Sequence, residues 1–375
     1  MKHTIYALTM FALAACTSPQ EEAIDRHALV TRNNPEVTAM DSLSSLSVGN
    51  GEFAYTVDAT GLQTFPEVYK NGVPLGTQSQ WGWHSFGNPE NYKPEEALVE
   101  YDFGHGHKEL YATQPKEPGR AKEASDWYRV NPHRLHLGII GLELENEVRP
   151  SDVQNIQQSL DMWNGIINSR FTLKETPYHI QTVCHPERDM IAARLSARQP
   201  VGIKFHFPYP TGGHCDDACN WEANDKHSTT LVSEDAQSAV LKRTLDATTY
   251  YVTISWEGAA KLREKSANYF VLTPTDSVFT FTCQFTPQAS ASPILTFAEV
   301  QQASSGHWQN YWTQGAVADF SQCTDVRAKE LERRVVLSQY LLAIQCAGST
   351  PPQETGLTYN SWFGKFHLEM IWWHQ

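Results

Sequence analysis

The C-terminal stretch of residues 361–375 holds the densest group of side chains that could bind a ligand. Its rings would supply flat apolar surface, and its charged groups would orient a polar molecule on that surface. The candidate substrate-binding residues are Trp362, Lys365, His367, Glu369 and Trp372. A helix running from Lys365 would place Lys365, Leu368, Glu369 and Trp372 on one face. The alternative is a buried helix in which Glu369 is paired inside the protein.

Several carboxylates are candidates for glycosidic chemistry, which generally uses two of them about 5–10 Å apart. Glu67, Glu354 and Glu369 are the candidates. The sequence brings no two of them together, so no catalytic pair is assigned. The stretch Gly104-His-Gly106 lacks the third glycine of a dinucleotide-binding loop. No cofactor is predicted.

Two cysteines, Cys215 and Cys219, lie four positions apart in a loop that also contains His214 and Asp216. In an exported chain they are a candidate local disulfide. Free thiols and a metal site are the alternatives. The chain has no second ligand pair at zinc-finger spacing, so no metal is predicted.

The N-terminus predicts export. A positive start precedes a short apolar run, and Leu13-Ala-Ala-Cys16 follows it. This pattern matches a bacterial lipobox, so residues 1–15 are predicted to be a lipoprotein signal peptide and Cys16 its lipidation site. We expect residues 16–44 to form a tether and N-terminal segment on a protein anchored in the membrane of the bacterial cell envelope. An ordinary cleaved signal is the alternative.

The composition is that of a globular protein large enough for two or three domains, with 41% hydrophobic and 19% charged residues in a 375-residue chain. The formal net charge is −13. A nucleic-acid partner is not expected, because phosphate binding needs clustered Lys and Arg side chains.

The predicted secondary structure that positions the candidate residues changes along the chain from strands to helices. Apolar and polar residues alternate through many segments between residues 45 and 292, as at Phe53, Tyr55 and Val57. This alternation predicts a large antiparallel β-sandwich. Residues 152–164 fit either a helix or a strand.

Helical patterns begin after the predicted sandwich. Thr296 and Glu299 have the spacing of a capping box, which predicts a helical linker over residues 293–322. Residues 325–347 form an amphipathic pattern ended by Gly348, and they open a helical domain over residues 323–375. The predicted apolar face of this helix is Leu331, Val335, Leu337, Leu341, Leu342 and Ile344.

These segments together resemble glycoside hydrolase family 65, the kojibiose and maltose phosphorylase group of six-hairpin glycosidases. The resemblance is carried by Asn50-Gly-Glu-Phe-Ala54, by residues 305–312 and 332–342, and by Gly364-Lys-Phe-His-Leu-Glu-Met-Ile-Trp372. It implies an N-terminal β-supersandwich, a helical linker and the start of an (α/α)6 catalytic barrel. It also favours a strand over residues 152–164.

The last of these motifs resembles the family's Gly-His-x-Phe-Trp-Asp-Thr-Glu motif, whose Trp-Asp pair contacts the sugar. Glu369 then takes the place of the family's Asp, and Leu368 takes the place of its Trp. The resemblance implies an oligosaccharide substrate, inverting acid/base hydrolysis, and a general acid that would lie downstream of Gln375. We therefore expect this chain to be truncated and inactive by itself. The alternative is a non-catalytic, glycan-binding surface lipoprotein.

Overall fold

Residues 24–290 and 293–374 are described by a computed structural model, in which antiparallel strands precede the long helices. Its strands are β1 (Glu36–Val37), β2 (Leu46–Gly49), β3 (Phe53–Val57), β4 (Thr77–Ser79), β5 (Trp83–His84), β6 (Leu98–Asp102), β7 (Lys108–Ala112), β8 (His133–Arg134), β9 (Ile139–Glu143), β10 (Val153–Asp161), β11 (Ile166–Leu173), β12 (Thr176–Cys184), β13 (Met190–Ala197), β14 (Gly202–His206), β15 (Tyr209–Pro210), β16 (Cys219–Asn220), β17 (His227–Glu234), β18 (Ser238–Leu245), β19 (Thr248–Glu257), β20 (Ala260–Ser266), β21 (Tyr269–Pro274) and β22 (Val278–Thr286). Its α-helices are α1 (Arg26–Thr31), α2 (Pro66–Tyr69), α3 (Arg120–Val130), α4 (Phe297–Thr313), α5 (Ala328–Gln345) and α6 (Leu368–His374). Short 3-10 turns occupy Pro94–Ala97, Pro150–Asp152 and Trp362–Gly364.

The strands form two layers that enclose the main core. One layer is a nine-stranded sheet in the order β1-β10-β11-β12-β13-β22-β19-β18-β17. Facing it are a four-stranded sheet, β20-β21-β14-β9, and a three-stranded sheet, β2-β3-β4. Phe205 meets Phe281 at 6.0 Å between ring centroids, and Phe53 stacks on Phe285 at 5.8 Å. The predicted antiparallel sandwich is therefore confirmed, and β10 confirms the strand favoured over residues 152–164.

Gln63 joins the two smaller sheets into one layer. Its backbone N–H donates to the Ile140 carbonyl at 2.8 Å. Its side-chain Nε2 donates to the carbonyls of Thr56 and Gly76, both at 3.0 Å. Because Gln63 is fully buried, these bonds satisfy polar groups that water cannot reach.

The long helices pack on the sandwich. The capping box predicted at Thr296 and Glu299 is present at the start of α4. The Trp312 indole N–H donates to the Met162 carbonyl at 2.7 Å, and the rings of Trp308 and Tyr340 lie 4.5 Å apart where α4 meets α5. The β-sandwich is thus followed by a helical segment, as the sequence predicts. Among the described helices, none combines the length and apolar character needed to cross a membrane.

The buried face of α5 matches the predicted one only in part, since Ile344 is buried and Leu337 and Leu341 are partly buried against the core. The buried residues are Ala328, Glu332, Val336, Tyr340 and Ile344. They repeat every four positions, so they form one stripe along the helix. Leu331, which was expected on the apolar face, is 53% exposed.

The predicted helical face beginning at Lys365 is wrong, because α6 starts three residues later, at Leu368. Lys365 has an extended backbone, with φ −82° and ψ 156°. The next residue, Phe366, forms an isolated antiparallel bridge with Gln353. Lys365 therefore lies in the extended segment that precedes α6 and does not share a helical face with Glu369.

Part of the predicted N-terminal segment packs on the fold. Within residues 24–44, α1 lies against the long helices, where the Arg26 guanidinium donates to the carbonyls of Trp312 at 3.0 Å and Gln314 at 2.9 Å. Strand β1 adds to the edge of the nine-stranded sheet. The predicted signal peptide, residues 1–15, and the predicted lipidation site, Cys16, lie outside the described residues.

Candidate functional site

The segment 353–374 is held on the β-domain by Gln353, which is almost fully buried. Its Oε1 accepts from Arg134 Nε at 3.1 Å, and its Nε2 donates to Gln78 Oε1 at 3.1 Å and to the Tyr359 carbonyl at 2.7 Å. The bonds to Arg134 and Gln78 join parts of the chain that are far apart in sequence. They place the candidate substrate-binding residues beside α3 and the loop of residues 211–224.

The Lys365 ammonium group binds backbone carbonyls of the protein. Its Nζ donates to the carbonyls of Tyr128 at 3.2 Å, Arg129 at 2.6 Å and Asn131 at 3.3 Å. These acceptors lie at the C-terminal end of α3, where the helix dipole favours a cation. An ammonium group has three N–H donors, so all of them have partners here. Burial, followed by the nearby Arg129 charge, lowers the pKa of Lys365.

Trp362 lies at the centre of a ring cluster. The centroid of His214 is 4.4 Å away in an edge-on arrangement, and the centroid of His367 is 5.0 Å away. The Arg129 guanidinium carbon lies 5.3 Å from the indole centroid, a cation–π distance. Trp362 and the buried Phe363 both have positive φ angles, 48° and 61°. Such angles are unfavourable for bulky residues, so tertiary contacts must hold this turn.

Glu369 is an exposed, ionised carboxylate next to this cluster. Its side chain is 69% exposed, and Oε1 lies 3.4 Å from His367 Nδ1. Its own backbone N–H, and then His367, hold the pKa of Glu369 below its usual value. A carboxylate of this kind accepts hydrogen bonds well. It is poorly suited to act as a general acid, which needs a pKa near the working pH.

The exposed rings of α6 form the other half of the candidate site. Trp372 is 81% exposed and Trp373 is 73% exposed. Leu368, at the start of the same helix, is also 74% exposed, so α6 presents apolar side chains to solvent. Trp362, His367 and Glu369 therefore come together, Trp372 lies further along α6, and Lys365 points away into the α3 carbonyls.

The two loop cysteines are free thiols in the structure, so the candidate disulfide is not formed. Cys215 Sγ lies 3.5 Å from Ser361 Oγ, whereas Cys219 Sγ donates to the Asp217 carbonyl at 2.9 Å. Burial raises the pKa of Cys219 well above its usual value, which keeps it a thiol. Within the described part of the chain, no group of three or more His, Cys, Asp or Glu side chains could hold a metal ion.

The remaining candidate carboxylates lie in different surroundings. Glu354 accepts a hydrogen bond from Ser361 within the segment 353–374. Glu67 lies on α2 beside a separate cleft. Sequence reasoning missed Arg129, which contributes both a guanidinium and a carbonyl to the site. Only the packing of the segment 353–374 against α3 shows this role, because α3 lies far away in sequence.

The architecture defines the class of protein as an antiparallel β-sandwich followed by packed helices. No protein-family model matches the chain, and no curated protein does. Among solved structures, one similar chain is described as a kojibiose phosphorylase from the human microbiome. It has a TM-score of 0.46 and 10% identity over 85% of this chain and 42% of that one.

Two further structures are also similar. A bacterial glucoamylase complexed with acarbose has a TM-score of 0.44 and 8% identity, over 87% of this chain and 46% of that one. A family GH92 α-mannosidase from Bacteroides thetaiotaomicron has a TM-score of 0.33 and 8% identity, over 84% of this chain and 41% of that one. This chain thus spans less than half the length of each. The fold class stated above rests on the sheets and helices themselves.

Proposed function

We propose that this chain belongs to a carbohydrate-active protein and that its segment 353–374 binds an oligosaccharide. The observation that carries the proposal is that the ionised Glu369 lies next to the His367–Trp362 ring pair, on the helix that also carries the exposed rings of Trp372 and Trp373. A ring face can cover the apolar face of a sugar, while a carboxylate accepts hydrogen bonds from its hydroxyl groups.

The roles follow from the surroundings of each residue. Trp372 is free to stack on a sugar, and Glu369 is free to accept from a pair of hydroxyls. Lys365 acts by fixing the segment on α3 and does not contact the ligand. In the whole protein we propose inverting hydrolysis, in which a separate general acid protonates the glycosidic oxygen and a base activates water. Glu369 serves binding in this scheme, because its pKa is lowered.

Calorimetry with a panel of α-linked disaccharides tests the binding role. We expect Glu369→Gln and Trp372→Ala to weaken binding about tenfold or more, since each removes a direct contact. The matched controls are Glu109→Gln and Tyr101→Ala on the β6–β7 hairpin, where the side chains are 59% and 50% exposed. Equal binding by all four variants would refute the proposal.

An assay for released monosaccharide on the same samples distinguishes a hydrolase from a protein that only binds glycans. Release of monosaccharide by the purified chain, lost in Glu369→Gln, would indicate a hydrolase that works with the residues present. Binding without release would favour the glycan-binding lipoprotein.

We also propose that the protein is exported and anchored in the bacterial cell envelope through a lipid on Cys16. The support is the lipobox pattern Leu13-Ala-Ala-Cys16. Labelled palmitate should enter the wild-type protein and a Cys323→Ser control, whose cysteine is an exposed thiol, but not Cys16→Ser. Equal labelling of Cys16→Ser, or a soluble wild-type protein, would overturn this assignment.

A further inference from the structure

A second cleft lies on the outer face of the four-stranded sheet, on the side away from the main core. It has a volume of about 300 Å³, at the lower end of the range for small-molecule sites. Helix α2, strands β14 and β21, and the loop of residues 211–224 enclose it. The chemistry-bearing residues of its lining are Glu67, Lys204, His206, Asp217, Trp221 and Tyr269.

The sheet register builds one wall of the cleft. Lys204 and His206 are two positions apart on β14, so they face the same side. His206 pairs with Tyr269 on one neighbouring strand and with Ile139 on the other. These three side chains therefore form a row across the sheet.

A ring from the loop completes the wall. Trp221 lies 4.9 Å from His206 between ring centroids, with the planes tilted by 43°, and Tyr269 lies 4.9 Å from His206 on its other side, tilted by 48°. His136 contacts Trp221 edge-on at 5.7 Å, which fixes the indole. All three wall rings are only half-buried, so part of their surface faces the cleft.

Polar groups surround this aromatic wall. Lys204 Nζ donates to the Thr64 carbonyl at 2.8 Å, which fixes the ammonium group at the cleft. Asp217 Oδ1 accepts weakly from the Cys219 N–H at 3.4 Å, so its carboxylate keeps acceptor capacity. Glu67 on α2 and Lys70, the residue that caps its C-terminus, are exposed at the rim.

His206 adds a neutral donor and acceptor. Burial, followed by the Lys204 and Arg243 charges, lowers the pKa of His206 to about 4, so the imidazole is uncharged near neutral pH. Within the described residues it makes no hydrogen bond, and its ring nitrogens are available to a ligand.

The charges of the lining balance, since two carboxylates, Glu67 and Asp217, face two ammonium groups, Lys70 and Lys204. A balanced lining gives no net attraction to an anion or a cation. Abundant hydrogen-bonding groups beside ring faces suit a molecule that is polar at its edges and apolar on its faces.

We propose that this cleft binds a neutral saccharide unit, with its ring against Trp221 and Tyr269 and its hydroxyls bonded to His206, Asp217 and Glu67. The site lies on a different surface from the C-terminal segment. It would stand even if that segment bound no sugar.

Calorimetry and saturation-transfer NMR on the purified chain test the proposal, with methyl α-glucoside, methyl α-mannoside, maltose and glucuronate as probes. We expect at least one neutral sugar to bind, and Trp221→Ala and Asp217→Asn to weaken that binding about tenfold or more. Tyr101→Ala on the β6–β7 hairpin is the control, since Tyr101 is exposed and lies in neither site, and Trp372→Ala reports separately on binding at the C-terminal segment. Glu67→Gln on the exposed rim gives a second reading if Trp221→Ala does not fold.

The outcomes distinguish the two sites. Sugar binding that is lost in Trp372→Ala but kept in the Trp221, Asp217 and Glu67 variants would overturn the cleft and leave the C-terminal site intact. Binding lost in the cleft variants but kept in Trp372→Ala would support the cleft alone. Binding of glucuronate only, or no binding of any probe, would also overturn the proposal.

Discussion

Arg134 is a buried cation whose partners are all uncharged. Its guanidinium donates to the carbonyls of Ser79 at 2.8 Å and Gln80 at 2.6 Å, and lies 3.8 Å from the Trp83 ring centroid. Burial lowers the pKa of Arg134 to about 9. Gln353 supplies the acceptor for its Nε, so one amide side chain both satisfies this cation and anchors the C-terminal segment.

Gln353→Ala tests this residue. It leaves Arg134 Nε and Gln78 Oε1 without their partner, and a buried unsatisfied group costs about 1–3 kcal/mol. We expect that loss in the free energy of unfolding, measured with urea, together with faster proteolysis after residue 348. The exposed Gln322→Ala should change neither quantity. Equal stability of the two variants would contradict the anchoring role.

At the scale of elements, Glu332 ties α1 to α5. Its carboxylate accepts from Arg32 Nε and Nη2, both at 2.9 Å, and from Asn33 Nδ2, also at 2.9 Å. The Phe320 N–H adds a fourth bond at 2.7 Å. The Arg32 bond, more than the others, lowers the pKa of Glu332, although burial opposes the shift.

Glu332→Gln should therefore lower the free energy of unfolding by about 2 kcal/mol at neutral pH. Because the folded-state pKa is lowered, the contribution is full above the unfolded pKa of about 4.3. It is lost as the pH falls through the folded-state pKa. Urea unfolding of wild type and variant should thus converge in acid.

The control for this prediction is Glu330→Gln. Glu330 is 49% exposed and pairs with Arg333 and Arg334 on the same helix. Exposed pairs of this kind contribute little to the free energy of unfolding, because solvent screens them. A loss as large as that of Glu332→Gln would show that helix charge, and not the tie to α1, sets the effect.

At the scale of the whole molecule, α4 packs tightly against the turn between β10 and β11. Gly165 lies in the turn between β10 and β11, with φ +65°, directly under the Trp308 ring of α4. Ser304 of the same helix donates to the Asn164 carbonyl at 3.0 Å. The turn and the helix therefore constrain each other.

Gly165→Ala should destabilise the packing of α4 on this turn. A Cβ here would overlap the Trp308 indole, and overpacking costs about 1–3 kcal/mol in addition to the backbone penalty. Gly104→Ala is the matched control, because Gly104 has φ +84° but open space around it. It should cost only about 1–2 kcal/mol. Thermal unfolding followed by tryptophan fluorescence measures both, and equal losses would rule out the steric contact.

Local patterns in the sequence predicted most of the elements. Alternation at Phe53, Tyr55 and Val57 predicted β3, and the spacing of Thr296 and Glu299 predicted the start of α4. These signals work because strand and cap geometry depend on residues that are close in sequence. The buried face of α5 was not predictable in this way, since Leu331 and Val336 are equally apolar and only contact with α4 and the β-domain selects between them.

The C-terminal segment shows the same division at the candidate site. The sequence by itself determined that rings, histidines and a carboxylate are concentrated in residues 361–375. Only the tertiary structure decided that Lys365 binds the α3 carbonyls, that Glu369 stays exposed, and that Trp221 joins His206 and Tyr269 in a second cleft. The physical reason is that exposure and hydrogen-bond partners depend on chain segments that meet only when the sheets and helices pack together.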